Sequence, residues 1–87
     1  MNRIKEFGQA VRSLRLERGL TQEELAEKAD LHVNSISFFE RGLKPPALDT
    51  ICSIADALGV PVSKLMSDME RRLEEKVVTS TLPQKRC

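Results

Sequence analysis

Tryptophan and tyrosine are absent from this 87-residue chain, and its aromatic side chains are three phenylalanines. It has one histidine, two cysteines, four glycines and four prolines. With His32 as the sole imidazole, no Ser-His-Asp or Cys-His nucleophile can be assembled without it. Cys52 and Cys87 fall in no metal-ligand spacing, and no glycine-rich phosphate loop is present. The sequence therefore predicts no enzyme, no metal and no cofactor. Nor does it hold a run near the roughly 18–20 apolar residues that a membrane helix needs. The opening MNRIKEFGQAV lacks the apolar stretch of a secretory signal. The expected setting is the cytoplasm, with reduced thiols and Cys52 at or near the core.

A charge excess is missing as well, since the net charge is +1. The distribution is uneven. Arg3, Lys5, Arg12, Arg15 and Arg18 outnumber Glu6 and Glu17 at the start, whereas Glu23, Glu24, Glu27 and Asp30 face only Lys28 over residues 19–31. Indiscriminate binding of a polyanion calls for one long basic stripe. This chain can build a local basic rim, which suits selective binding. Its length predicts one small domain that gains from economical packing or from a second subunit.

Strand-like alternation is not sustained anywhere, so the fold class is all-α. Ile4, Phe7, Val11 and Leu14 recur at spacings of three and four, predicting a helix over 3–18 ended by Gly19. Thr21-Gln-Glu-Glu24 is a capping box, with Leu20 and Leu25 as a hydrophobic staple, so a second helix runs from Gln22 to about Ala29. A third spans about 33–41 and is closed by Gly42. The prolines at 45 and 46 mark a connector. Leu48, Ile51, Ala55 and Leu58 make a fourth helix ended by Gly59, and Pro61 opens a fifth with Val62, Leu65 and Met66 inward.

Two short helices joined by a tight turn describe a helix-turn-helix, a pair that many helical bundles also contain. The side chains of the third helix are more informative. At 100° per residue Ile36 and Phe39 face inward, joined by Leu43 if the helical track is extended past Gly42. Asn34, Ser37, Phe38 and Arg41 cluster on the other side. An ordinary solvated face would carry Lys and Glu. Short polar groups, one amide, one aromatic ring and one arginine suit a helix pressed into a major groove. Gln22 opens the second helix, where free amides and the positive dipole end receive a phosphate, and Lys44 sits just past the third.

The stretch from Arg12 to Met66 resembles the lambda Cro/repressor-type helix-turn-helix family, also called the xenobiotic-response-element family of bacterial regulators. R-x-x-R-x-E-R-G-L-T-Q-E-E-L-A, I-S-x-F-E-R-G, the proline connector and I-A-D-A-L-G-V-P carry the resemblance. It implies a compact five-helix domain over 1–66 that binds double-stranded operator DNA, usually as a two-fold dimer, through its third helix. Gln22 matches the family glutamine that holds a phosphate and braces that helix. Val33, Asn34, Ser37 and Phe38 match base-contacting positions, and Ser35, Arg41 and Lys44 match backbone-contacting ones. Arg15 and Glu40 resemble a structural ion pair. Asp30 stands where the family often has glycine, which implies a slightly strained turn. His32 stands where a Ser, Thr or Asp cap is usual, and is a poorer one. Phe38 replaces a usual polar residue, with two roles open to it: contact with thymine methyls or packing on the protein.

Beyond the domain, Met66, Met69, Leu73 and Val77 continue the helical spacing and predict an additional C-terminal helical extension over 67–78, followed by a flexible tail over 79–87. The seam has two uses, dimerisation or packing on its own domain. The leading expectation is a regulator of transcription without a sensor domain: a restriction–modification controller or phage-type repressor, with contact to RNA polymerase where it activates. An antitoxin-type autoregulator and a helix-turn-helix module for protein partners are the alternatives.

Overall fold

Local signals start and stop most of the helices in the computed structural model, which describes residues 2–78, with side chains to Glu75. The Asn2 side chain accepts from the Lys5 amide (3.0 Å) and opens α1 (Arg3–Glu17), which Gly19 ends at φ +68°. Both bonds of the Thr21/Glu24 capping box are formed at the start of α2 (Gln22–Ala29). Asp30 then turns the chain in the left-handed region, φ 59° and ψ 45°. At α3 (Val33–Glu40), His32 does act as the cap: its Nδ1 accepts from the Asn34 amide at 3.2 Å. The remaining helices are α4 (Leu48–Leu58), closed by Gly59, and α5 (Val62–Val78).

The apolar stripes meet in one core. Phe7, Val11 and Leu14 of α1, Leu25 of α2, Ile36 and Phe39 of α3, Ile54 and Leu58 of α4, and Leu65 of α5 form a single buried cluster. Complete burial of a side chain such as Leu25 or Ile36 contributes roughly 1.5–3 kcal/mol. α1 is the central strut, packed on both α5 and α3. The Arg18 Nε also donates to the Leu58 carbonyl at 2.6 Å, pinning the end of α1 to the end of α4.

The structure sharpens two sequence expectations and overturns one. Leu43 does not join the buried face; it is 63% exposed. Gly42 takes φ +72° and ends the helical track, and the Leu43 amide folds back to donate to the Phe38 carbonyl at 2.9 Å. Cys52 lies exposed on the outside of α4, because Ile51, Ile54, Ala55 and Leu58 occupy the inward positions. The C-terminal extension is no separate element but the later turns of α5, since neither Gly nor Pro interrupts 62–78. Within it Leu73 is buried in its own chain and Arg72 donates to the Ser13 hydroxyl of α1, while Met66 and Met69 are half-buried. The Val77 side chain and the tail over 79–87 lie outside the described residues.

Candidate nucleic-acid interface

The inner side of α3 is held by backbone contact and by a buried ionic network. At Gly8 of α1 a β-carbon would stand 2.0 Å from the Phe39 carbonyl oxygen and 3.0 Å from the Glu40 Cα. Only glycine lets the two helices approach this closely. Glu40 is 2% exposed and fully engaged. Arg15 grips its carboxylate with two bonds, Nε to Oε2 at 2.7 Å and Nη2 to Oε1 at 3.1 Å. A third Arg15 donor reaches the Leu20 carbonyl at 2.8 Å, and the Gln22 amide donates to Glu40 Oε1 at 3.0 Å. Glu40 therefore ties the end of α3 to α1 and to the first residue of α2, and Arg15 extends the network to the α1–α2 loop. A bidentate guanidinium–carboxylate pair fixes orientation as well as distance.

Among the described residues, few contacts hold the outer side of α3. Asn34, Phe38 and Arg41 are exposed, and Val33, Ser35 and Ser37 are half-buried. All six lie on one helix or its cap, whereas Gln22, half-buried at the start of α2, spends its side-chain amide on the buried Glu40. Val33 divides its surface, packing partly against the core. Phe38 is 37% exposed, and the Arg41 guanidinium lies over its ring, 5.5 Å from the centroid. Lys44 is exposed in the connector, three residues beyond Arg41.

Two contributors escaped the sequence reading. Gly8 had no signature, because its role depends on how near α3 comes. Lys5 was counted only as one of the early basic residues, yet the fold sets it against the turn after α3: a β-carbon on Gly42 would lie 2.9 Å from the Lys5 Cα. Lys5, itself exposed, thus lies beside the turn that joins Arg41 to Lys44. The acidic residues Glu23, Glu24 and Glu27 are exposed on α2.

A capped pair of short helices, the second clamped from behind and bare in front, defines a helix-turn-helix domain. The helix-turn-helix family profile matches residues 11–65, and the chain belongs to that family, in its Cro/CI-type branch. It is 38% identical over 71 residues to the transcriptional repressor RstR of the cryptic phage CTXphi from Vibrio cholerae, covering 82% of this chain and 64% of that protein. It is 46% identical over 61 residues to the control protein C.BamHI of Bacillus amyloliquefaciens, covering 69% of this chain and 75% of that one. The crystal structure of the restriction-modification controller protein C.AhdI from Aeromonas hydrophila superposes with a TM-score of 0.70 at 35% identity, covering 71% of this chain and 94% of that one. The chain thus spans just under two-thirds of the phage repressor's length but nearly all of the controller's.

Proposed function

We propose that this protein is a sequence-specific DNA-binding regulator of transcription that acts as a homodimer on a palindromic operator. The observation that carries the reading is the asymmetry of α3. Its back is locked by Gly8 and the Arg15–Glu40–Gln22 network, and its front offers Asn34, Ser37, Phe38 and Arg41 to a partner. In the major groove Asn34 pairs with adenine, and Ser37 serves either base edge. Val33 and Phe38 supply apolar surface for thymine methyls, while Ser35, Lys44 and Gln22 hold the phosphate backbone. Two such helices about 34 Å apart enter successive grooves, which makes the operator mirror the protein's symmetry.

The dimer rests on α5 and its neighbours. Met66 and Met69 keep exposed surface in an apolar groove of about 230 Å³, shared with Ile4, Pro46 and Ile51, and Leu48 at the start of α4 is 72% exposed. Leu73 is already spent on its own domain. Bound over a promoter the dimer represses; bound beside RNA polymerase it activates. No step requires catalysis, and the setting is the cytoplasm. Kinship with both a phage repressor and control proteins of restriction systems favours those two roles over an antitoxin. A module for protein partners is the second reading, favoured by the exposed Phe38.

Selection of bound duplexes from a random pool by the full chain tests the proposal. A palindrome with half-sites one helical turn apart is expected. Absence of any enriched sequence overturns the DNA reading and leaves the protein-interaction module.

A further inference from the structure

We infer that Phe38 and Arg41 form one composite reader for a 5-methylpyrimidine–guanine step, thymine or 5-methylcytosine followed by guanine, in each operator half-site. This rests on the docking of α3 in the major groove proposed above. The family resemblance puts Arg41 at a backbone-contacting position; the geometry here gives it a different task.

The guanidinium carbon lies over the exposed Phe38 ring, 5.5 Å from its centroid and within the range of a cation–π contact. Its Nε donates to the Ser37 carbonyl at 3.4 Å, which ties the side chain to the last turn of α3. The two Nη groups have no partner among the described residues. Contact with a phosphate needs only a positive charge of loose geometry, as a lysine supplies. A guanidinium held beside a ring and tied back to the helix has lost part of its rotamer freedom in advance and keeps its two Nη groups available for a planar partner. That is the requirement for bidentate recognition of guanine O6 and N7, and the ring supplies the apolar surface that a C5 methyl meets. Successive bases on a strand rise by about 3.4 Å, a step that a ring and a guanidinium 5.5 Å apart match well enough to address adjacent bases. Thymine and 5-methylcytosine carry the same methyl at the same place. Methylation of a cytosine in this step therefore substitutes for thymine.

The test uses the full chain and the operator obtained by selection. A pool that yields no palindrome overturns the docking proposal and this reader with it. A palindrome without a pyrimidine–guanine step in its half-sites overturns the reader alone. Where the step is present, deoxyuridine in place of thymine removes the methyl alone and should weaken binding about fourfold per half-site. Changing cytosine to 5-methylcytosine should strengthen it by a similar factor. Replacing guanine by 7-deazaguanine removes one acceptor and should cost about five- to tenfold. Phe38→Leu should keep the methyl effect but shrink the deazaguanine penalty, because the arginine loses its seat, and Phe38→Ala should shrink both. Indifference to the base analogues, which need no variant protein, overturns the reader. So does an Arg41→Ala variant that weakens operator and random duplexes equally and lowers the salt slope by about one, the signature of a phosphate contact.

Discussion

The two sides of α3 carry the same number of turns and opposite chemistry. On the inner side, Ile36 and Phe39 are buried, Glu40 accepts three hydrogen bonds, and Gly8 brings a second backbone into contact. On the outer side, the side-chain contacts among the described residues are Arg41 over the Phe38 ring and one 3.4 Å bond from Arg41 Nε to the Ser37 carbonyl. The difference separates two tasks that share a single turn of chain. One side decides where the helix sits, and the other is free to choose what it meets. A recognition surface needs its backbone held within a fraction of an ångström, because side chains that reach bases cannot compensate for a helix that drifts. Substitutions on the two sides should therefore fail in different experiments.

The largest effect belongs to the inner side. Glu40→Ala leaves the Arg15 guanidinium buried without its counter-charge and strips Gln22 of its acceptor, so unfolding free energy should fall by about 3–5 kcal/mol. A urea titration measures it. Replacing the pair together, Arg15→Met with Glu40→Leu, should return most of that loss, since apolar groups of similar size fill the site without an orphaned charge. Next comes Gly8→Ala. One added methyl group, aimed at the Phe39 carbonyl, must separate α1 from α3, and the cost should reach the top of the overpacking range, about 3 kcal/mol. A Gly8→Ala protein as stable as the parent would mean that the inner side yields, and the comparison would lose its basis.

On the outer side stability should stay put while binding changes. Asn34→Ala should lose about 1–3 kcal/mol of discrimination at particular base pairs, read by competition between the operator and its single-base variants, with an unchanged urea midpoint. The Asn34 backbone amide still receives the His32 cap in that variant, so the helix start is preserved. Lys44→Ala should act more gently and more evenly. It should weaken all duplexes alike and reduce the slope of affinity against salt by about one. A Lys44→Ala variant that altered sequence preference would count against the proposed phosphate contact and place Lys44 at the bases.

How much of this was legible in the sequence depends on how far apart the deciding atoms lie. The start of α2 was readable because Thr21 and Glu24 make their bonds within one turn. The Arg15–Glu40 pair was readable only through family resemblance, since nothing local to either residue announces the other. The exposed cluster on α3 followed from angular spacing, but spacing says nothing of rotamers, so the seat of Arg41 on Phe38 came from the structure. Leu43 belongs to the inward face only if the helical track continues past Gly42, and the positive φ there resets the direction of the chain instead. Cys52 is small enough for the core, but size alone does not bury it on a helix whose inner positions Ile51, Ile54, Ala55 and Leu58 fill. Gly8 was invisible for a physical reason: a close helix approach is a property of two segments, and one residue without a side chain carries no pattern.

The smallest expected effect lies between the two helices of the motif, at Asp30, and it sharpens the comparison because it touches neither side of α3. Asp30 holds φ 59° and ψ 45°, a conformation that costs an ordinary L-residue roughly 1–2 kcal/mol and aspartate somewhat less. Its carboxylate also sits at the C-terminal end of α2, where the helix dipole disfavours negative charge by about 0.3–1 kcal/mol. Glycine removes both penalties but loses more conformational freedom on folding, by about 0.5–1 kcal/mol. The balance predicts that Asp30→Gly stabilises the domain by about 0.5–1 kcal/mol, read as a shift of the urea midpoint at constant slope. Asp30→Asn separates the contributions, since it keeps the backbone tolerance of a short polar side chain and removes only the charge; its gain should be the dipole share alone, about 0.3–1 kcal/mol. A lower midpoint for Asp30→Gly would show that the turn is held by the aspartate rather than strained by it, and the link between the helices would then count as a third constraint on α3 beside Gly8 and Glu40.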